Sequence, residues 1–226
     1  MSKWTGRVAG TVLLALVLVT GLGVPFPGDQ AKAASLYSQA KLQRITELDR
    51  IAGKNRYETA ALIAEKGWPD GATTVILARG DLFADALTAA PLAAMEDAPI
   101  LLTASQRLNP ETRRAIQKLR PDTVVILGGI QAISPNVEYQ LRQMGITVER
   151  ISGANRYSTA AQIAERVGLG VEAIVVNGEQ FPDALSVSAY AAQAMIPILL
   201  TKAQQLPEET SAAVERAEKT IVAGGE

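Results

Sequence analysis

Arg50-Ile51-Ala52-Gly53-Lys54-Asn55-Arg56-Tyr57-Glu58-Thr59-Ala60-Ala61 returns 100 residues later as Arg150-Ile151-Ser152-Gly153-Ala154-Asn155-Arg156-Tyr157-Ser158-Thr159-Ala160-Ala161. Two further stretches return in the same order, both displaced by 98. Phe83-Ala84-Asp85-Ala86-Leu87 becomes Phe181-Pro182-Asp183-Ala184-Leu185, and Pro99-Ile100-Leu101-Leu102-Thr103 becomes Pro197-Ile198-Leu199-Leu200-Thr201. This period is longer than a solenoid unit of roughly 20–50 residues. It is the size of a small domain. One module is used more than once, which points to binding.

Between the repeated stretches, helix and strand patterns alternate. Asn55 predicts a helix cap, with Ala60, Ala61, Ile63 and Ala64 crowded on one face of a helix reaching residue 66. Gly67, Pro69, Asp70 and Gly71 end it. Residues 73–78 form a short β-branched apolar run, read as a buried strand. Residues 81–95 read as an Ala/Leu-rich helix that Pro91 should kink or split. A strand at 100–103, a helix from Asn109-Pro110, a strand at 123–127 and a helix from Ser134-Pro135 follow. Residues 146–151 then form a strand that leads into the second copy. The second copy predicts helices at 155–167, 182–194 and 207–217, and strands at 172–176, 197–201 and 219–223. Alternation with short links implies right-handed crossovers and parallel sheets covered on both faces, that is, three-layer α/β modules. The repeats are expected at 46–146 and 147–226. The second stops a helix and a strand short of the first, as a fragment or an early-ending product would.

Lys3 and Arg7, the apolar stretch 8–24 and Ala31-Lys32-Ala33 have the order of a secretory signal peptide covering residues 1–33. A polar lead-in, 34–45, contains a short helical pattern near residues 36–42. Removing residues 1–33 takes away three basic residues and Asp29, leaving 19 basic against 22 acidic and a net charge of −3. So mild a balance provides no global field for nucleic acid or anionic lipid, and an anionic partner must be held at local sites. The chain has no Cys and no His. Disulfides, lipid attachment at a cysteine, imidazole metal ligands and Ser-His or Cys-His pairs are therefore excluded. No cofactor and no metal site is expected.

The candidate ligand residues are Asn55, Arg56, Asp85 and Thr103, with their counterparts Asn155, Arg156, Asp183 and Thr201. Asn-Arg lies where a strand end meets a helix start, where N–H groups and a guanidinium favour anions. The structural alternative is that Asn caps the helix while Arg pairs with an acid such as Asp85 or Asp183. Both aspartates open helices at the carboxyl end of a parallel sheet, the usual ligand edge, but are also ordinary helix-dipole partners. The threonines end strands on the same edge. Their hydroxyls either meet a ligand or cap the turn.

R-I-x-G-x-N-R-Y-x-T-A, F-x-D-A-L, P-I-L-L-T and V-x-x-L-G-G, in that order, resemble the cell wall binding repeat 2 family of Gram-positive surface proteins. The resemblance covers residues 50–225. It implies tandem Rossmann-like or toprim-like modules, commonly three around a pseudo-threefold axis. It also implies non-catalytic attachment of a secreted protein to teichoic-acid-like or other anionic wall polymers, and often a separate effector domain. A third repeat or an effector would be a partner from outside this chain. The family links P-I-L-L-T to polymer binding, here Ile100 to Thr103 and Ile198 to Thr201. Read physically, those aliphatics are buried strand and only the threonine end is free. Two alternatives stand beside the binding reading. One is a wall hydrolase, amidase-type or carboxylate-based, or its accessory subunit. The other is an architectural protein whose copies associate.

Overall fold

The computed structural model describes residues 50–224. The expected signal peptide, the lead-in with its short helix, and Gly225 and Glu226 lie outside the described residues. The first repeat runs α1 (Arg56–Gly67), β1 (Thr74–Arg79), α2 (Ala84–Thr88), α3 (Ala90–Met95), β2 (Ile100–Thr103), α4 (Pro110–Leu119), β3 (Thr123–Leu127), α5 (Pro135–Arg142) and β4 (Thr147–Ile151). The second runs α6 (Arg156–Val167), β5 (Glu172–Asn177), α7 (Phe181–Ala194), β6 (Ile198–Thr201), α8 (Glu208–Val214) and β7 (Lys219–Ala223). The fold is α/β, with parallel strands in the order β2-β1-β3-β4 and, in the second sheet, β6-β5-β7. By pairing with β3, strand β4 completes the first sheet, whereas a division at 147 assigns it to the second repeat.

Alternation along each strand sends neighbouring residues to opposite faces. Val75, Leu77, Val124 and Ile126 face α1, α4 and α5, where Ala61, Ala64, Ile116 and Leu141 meet them. Ile76, Ala78, Val125 and Leu127 face the other way, onto Ala89 and Leu92. A strand covered on both faces has no polar positions to spare, which accounts for the unbroken runs in the sequence. Pro91 does split its helix: α2 ends at Thr88 and Pro91 stands in the first turn of α3. Ala189 occupies the matching place in the second repeat, and α7 continues unbroken for 14 residues.

Helix α6 has two working faces. Ala161 and Ala164 pack on its own sheet. Ile163 instead enters the first repeat's second cluster, beside Ile76, Leu92 and Leu127. Tyr157 and Ala160 share a cluster with Ala84 of α2. The result is a marked inequality between equivalent residues: Ile163 is 1% exposed and Ile63 is 51% exposed. An edge-to-face pair, Phe83 with Phe181 at 5.8 Å, and an ion pair from Arg166 to Glu96 at 3.0 Å also cross the junction.

Candidate ligand clefts at the sheet edges

The repeated opening motif has a local structural logic. Asn55 accepts a hydrogen bond from Glu58 N at 2.9 Å, and Asn155 accepts from Tyr157 N and Ser158 N at 2.8 and 2.9 Å, so both cap their helices as the structural alternative expects. Their amides donate onward to Glu111 (3.3 Å) and Glu209 (2.9 Å), tying the turn to the next helix in the layer. Gly53 N and Gly153 N donate to Thr59 and Thr159 Oγ1 at 3.0 Å. A Cβ on Gly53 would lie 2.6 Å from Thr59 N, so glycine is required by the close approach.

The arginines do not pair with the aspartates. Arg56 Nη1 donates to Gly80 O and Arg156 Nη1 to Gly178 O, both at 2.6 Å, and neither forms an ion pair among the described residues. Each guanidinium serves the carbonyl of the glycine that follows the first strand of its repeat. Arg56 is exposed, whereas Arg156 is half-buried at the junction.

The threonines are spoken for. Thr103 Oγ1 donates within its own loop, to Arg107 O at 3.0 Å and Ala104 O at 3.3 Å, and the residue is fully buried. Thr201 Oγ1 does the same to Gln205 O and Lys202 O at 3.1 and 3.2 Å, but remains half-buried beside the second cleft. The expectation of a free threonine end fails at Thr103, because the strand-to-loop turn folds over it. Leu101, Ile198, Leu199 and Leu200 are at most 1% exposed, as a buried strand demands.

Asp85 and Asp183 behave differently. Neither caps its helix, since Phe83 and Gln180 occupy the cap positions without side-chain bonds. Each carboxylate instead lies over the glycine after the sheet's next strand. A Cβ on Gly128 would sit 2.8 Å from Asp85 Oδ2, and one on Gly224 2.8 Å from Asp183 Oδ2. Both glycines have positive φ, +89° and +136°. Burial pushes the Asp85 carboxyl above the ordinary carboxylate range, against the pull of Arg156 and Arg79.

Two clefts result, at the carboxyl edges of the two sheets. The junction cleft, about 410 Å³, is lined by Arg79, Asp85 and Gly128 of the first repeat and by Gly153, Asn155 and Arg156 of the second. The second repeat's turn thus completes the first repeat's cleft. The second cleft, about 560 Å³, holds Asn177, Asp183, Thr201, Lys202 and Gly224. Arg79 and Lys202 were not singled out in the sequence. Arg79 ends β1 on the ligand edge and makes a forked pair with Asp81, and that strand-end position is the signal that marks it. Lys202 lies 5.9 Å from the Tyr157 ring centroid and immediately follows Thr201.

Comparison with known proteins decides what this repeated architecture is. The family model described as cell wall binding domain 2 matches residues 50–138 and again 150–226. The chain belongs to the cell wall binding domain 2 family. It is a cell wall binding module, of the kind found on cell wall surface proteins. It is 38% identical over 178 residues to the N-acetylmuramoyl-L-alanine amidase LytC of Bacillus subtilis, covering 78% of this chain and 36% of that one. To the amidase enhancer of the same organism it is 46% identical over 160 residues, 71% of this chain and 22% of the relative. Among solved structures it is similar to Cwp6 from Clostridium difficile, with TM-score 0.71 and 28% identity, covering 79% of this chain and 31% of that one. Cwp8 from Clostridium difficile gives TM-score 0.70 and 29% identity, covering 87% and 34%. The cell wall binding domain 2 chain thus spans about a third or less of the relatives' lengths. Among the described residues, no helix is long and apolar enough to cross a membrane.

Proposed function

We propose that the module holds a secreted protein on an anionic wall polymer, teichoic-acid-like or another secondary wall polysaccharide, without catalysis of its own. The observation that supports this is the junction cleft, where Arg79 and Arg156 from two repeats meet on one opening. A chain with a net charge of −3 over residues 34–226 attracts no polyanion globally, so concentrated local cations carry the interaction. Two clefts on one chain let weak sites add, because the second contact is intramolecular. The absence of His and Cys from the sequence removes the common nucleophile–base pairs.

The test is retention of the full chain on purified walls at rising salt, before and after extraction of the anionic polymer. Retention should weaken with salt and disappear with extraction. Arg156→Ala should lower it more than Arg56→Ala, since only Arg156 lines the junction cleft. Equal retention on polymer-free peptidoglycan would refute the reading. Similarity to an amidase and an amidase enhancer favours a second reading, assistance to a wall hydrolase. Dye release from stained walls, with and without an added amidase, separates the two.

A further inference from the structure

We infer that Asp85 and Asp183 recognise a hydrogen-bond donor on a saccharide unit of the ligand, a hydroxyl or an ammonium, adjacent to the anionic group held by the cleft's cations. This rests on the wall-polymer reading and narrows its ligand class. Both carboxylates lack a hydrogen-bond donor among the described residues. Each stands in the first turn of its helix, where a negative charge suits the helix dipole, but capping and pairing are performed by others. Asn55 and Asn155 cap the preceding helices, and the motif arginines bond glycine carbonyls. Neither aspartate takes the cap position of its own helix.

The same arrangement occurs twice: each carboxylate fills the space that a Cβ would need on a positive-φ glycine, and each lines its cleft. A half-buried carboxylate with no donor from the protein relies on solvent, which a ligand's donor group can replace. The upward shift of Asp85 agrees with a carboxyl that burial penalises more than Arg156 and Arg79 relieve. Such a group is also a poor neighbour for a bare anion, because it repels it. A ligand that brings a donor to the carboxylate and an anion to Arg79, Arg156 or Lys202 satisfies both sides of the cleft. A sugar phosphate has that pairing, whereas inorganic sulfate, which carries no proton at neutral pH, does not.

The experiment is calorimetric titration of the full chain with inorganic sulfate, glucose 6-phosphate and glucosamine 6-phosphate. It is repeated on Asp85→Asn, Asp183→Asn and the double variant, with thermal melts to confirm folding. The sugar phosphates should bind more tightly than sulfate. The double variant should lose at least about tenfold of that affinity, since charged hydrogen bonds are typically worth about 1.5–3 kcal/mol. Its affinity for sulfate should stay level or rise. A preference for glucosamine over glucose identifies an ammonium donor, and equality identifies a hydroxyl. Undiminished sugar-phosphate affinity in the double variant overturns the inference, as does sulfate binding equally well. If wild type and double variant are retained equally on polymer-bearing walls, the inference falls and the attachment function stands. If wild type is not retained at all, the function itself falls.

Discussion

Ile163→Ala and Ile63→Ala remove the same atoms from equivalent helices, yet they should differ severalfold in cost. Ile163 is 1% exposed and, with Val167 beside it, packs into a cluster whose other buried members come from the first repeat, including Ile76, Leu92, Val125 and Leu127. Losing the three carbons beyond Cβ costs about 2.4 kcal/mol at ~0.8 kcal/mol per buried carbon. The cavity left between two repeats adds to that, giving roughly 3–4 kcal/mol in all. Ile63 is 51% exposed, so about half the transfer energy and little cavity are at stake, roughly 1 kcal/mol. Urea unfolding followed by circular dichroism measures both, at unchanged slope if each variant still unfolds in one transition. Ile163→Ala should also broaden or split the transition, because that side chain joins the two repeats. Equal losses of stability would refute the reasoning, since they would mean that α6 carries no more at the junction than α1 does at the surface.

Two further predictions follow from buried polar groups. Thr112 and Thr210 are fully buried and donate to Leu102 O and Leu200 O, at 2.5 and 2.6 Å. Replacing either by Val should destabilise by about 1–3 kcal/mol, by orphaning a strand-end carbonyl, and thermal unfolding will show it. Asp85 sets a pH dependence. Its carboxyl is raised in the folded state by burial, despite Arg156 and Arg79, so unfolding releases a proton and stability falls as pH rises through the window above the ordinary carboxylate range. Asp85→Asn should therefore be the more stable protein at neutral pH. That advantage should vanish below the carboxylate range, which paired melts from acid to neutral pH will reveal.

Much of the architecture was legible because it is set by local chemistry. Runs such as Val75-Ile76-Leu77-Ala78 fit a strand with two covered faces, and Pro91 lacks the N–H that an unbroken helix requires there. Asn55 and Asn155 read as caps and act as caps. The site was less legible. Thr103 and Thr201 look alike in sequence, but the loop after β2 buries the first completely and that after β6 leaves the second half-buried beside its cleft. Arg79 has no counterpart in the second repeat, where Asn177 stands, so the repeat itself gave no hint of it.

The residues alone determined that this chain is a doubled parallel α/β module with its polar groups gathered at one edge of each sheet. Period, capping and turn residues act within a few positions of one another, and each copy carries its own. Only the tertiary structure decided that the copies are unequal. Arg156 enters a neighbour's cleft and Arg56 does not, while Ile163 is core and Ile63 is surface. Burial depends on what packs against a side chain, and two equivalent helices acquire different environments when only one of them has another repeat's helices on its second face.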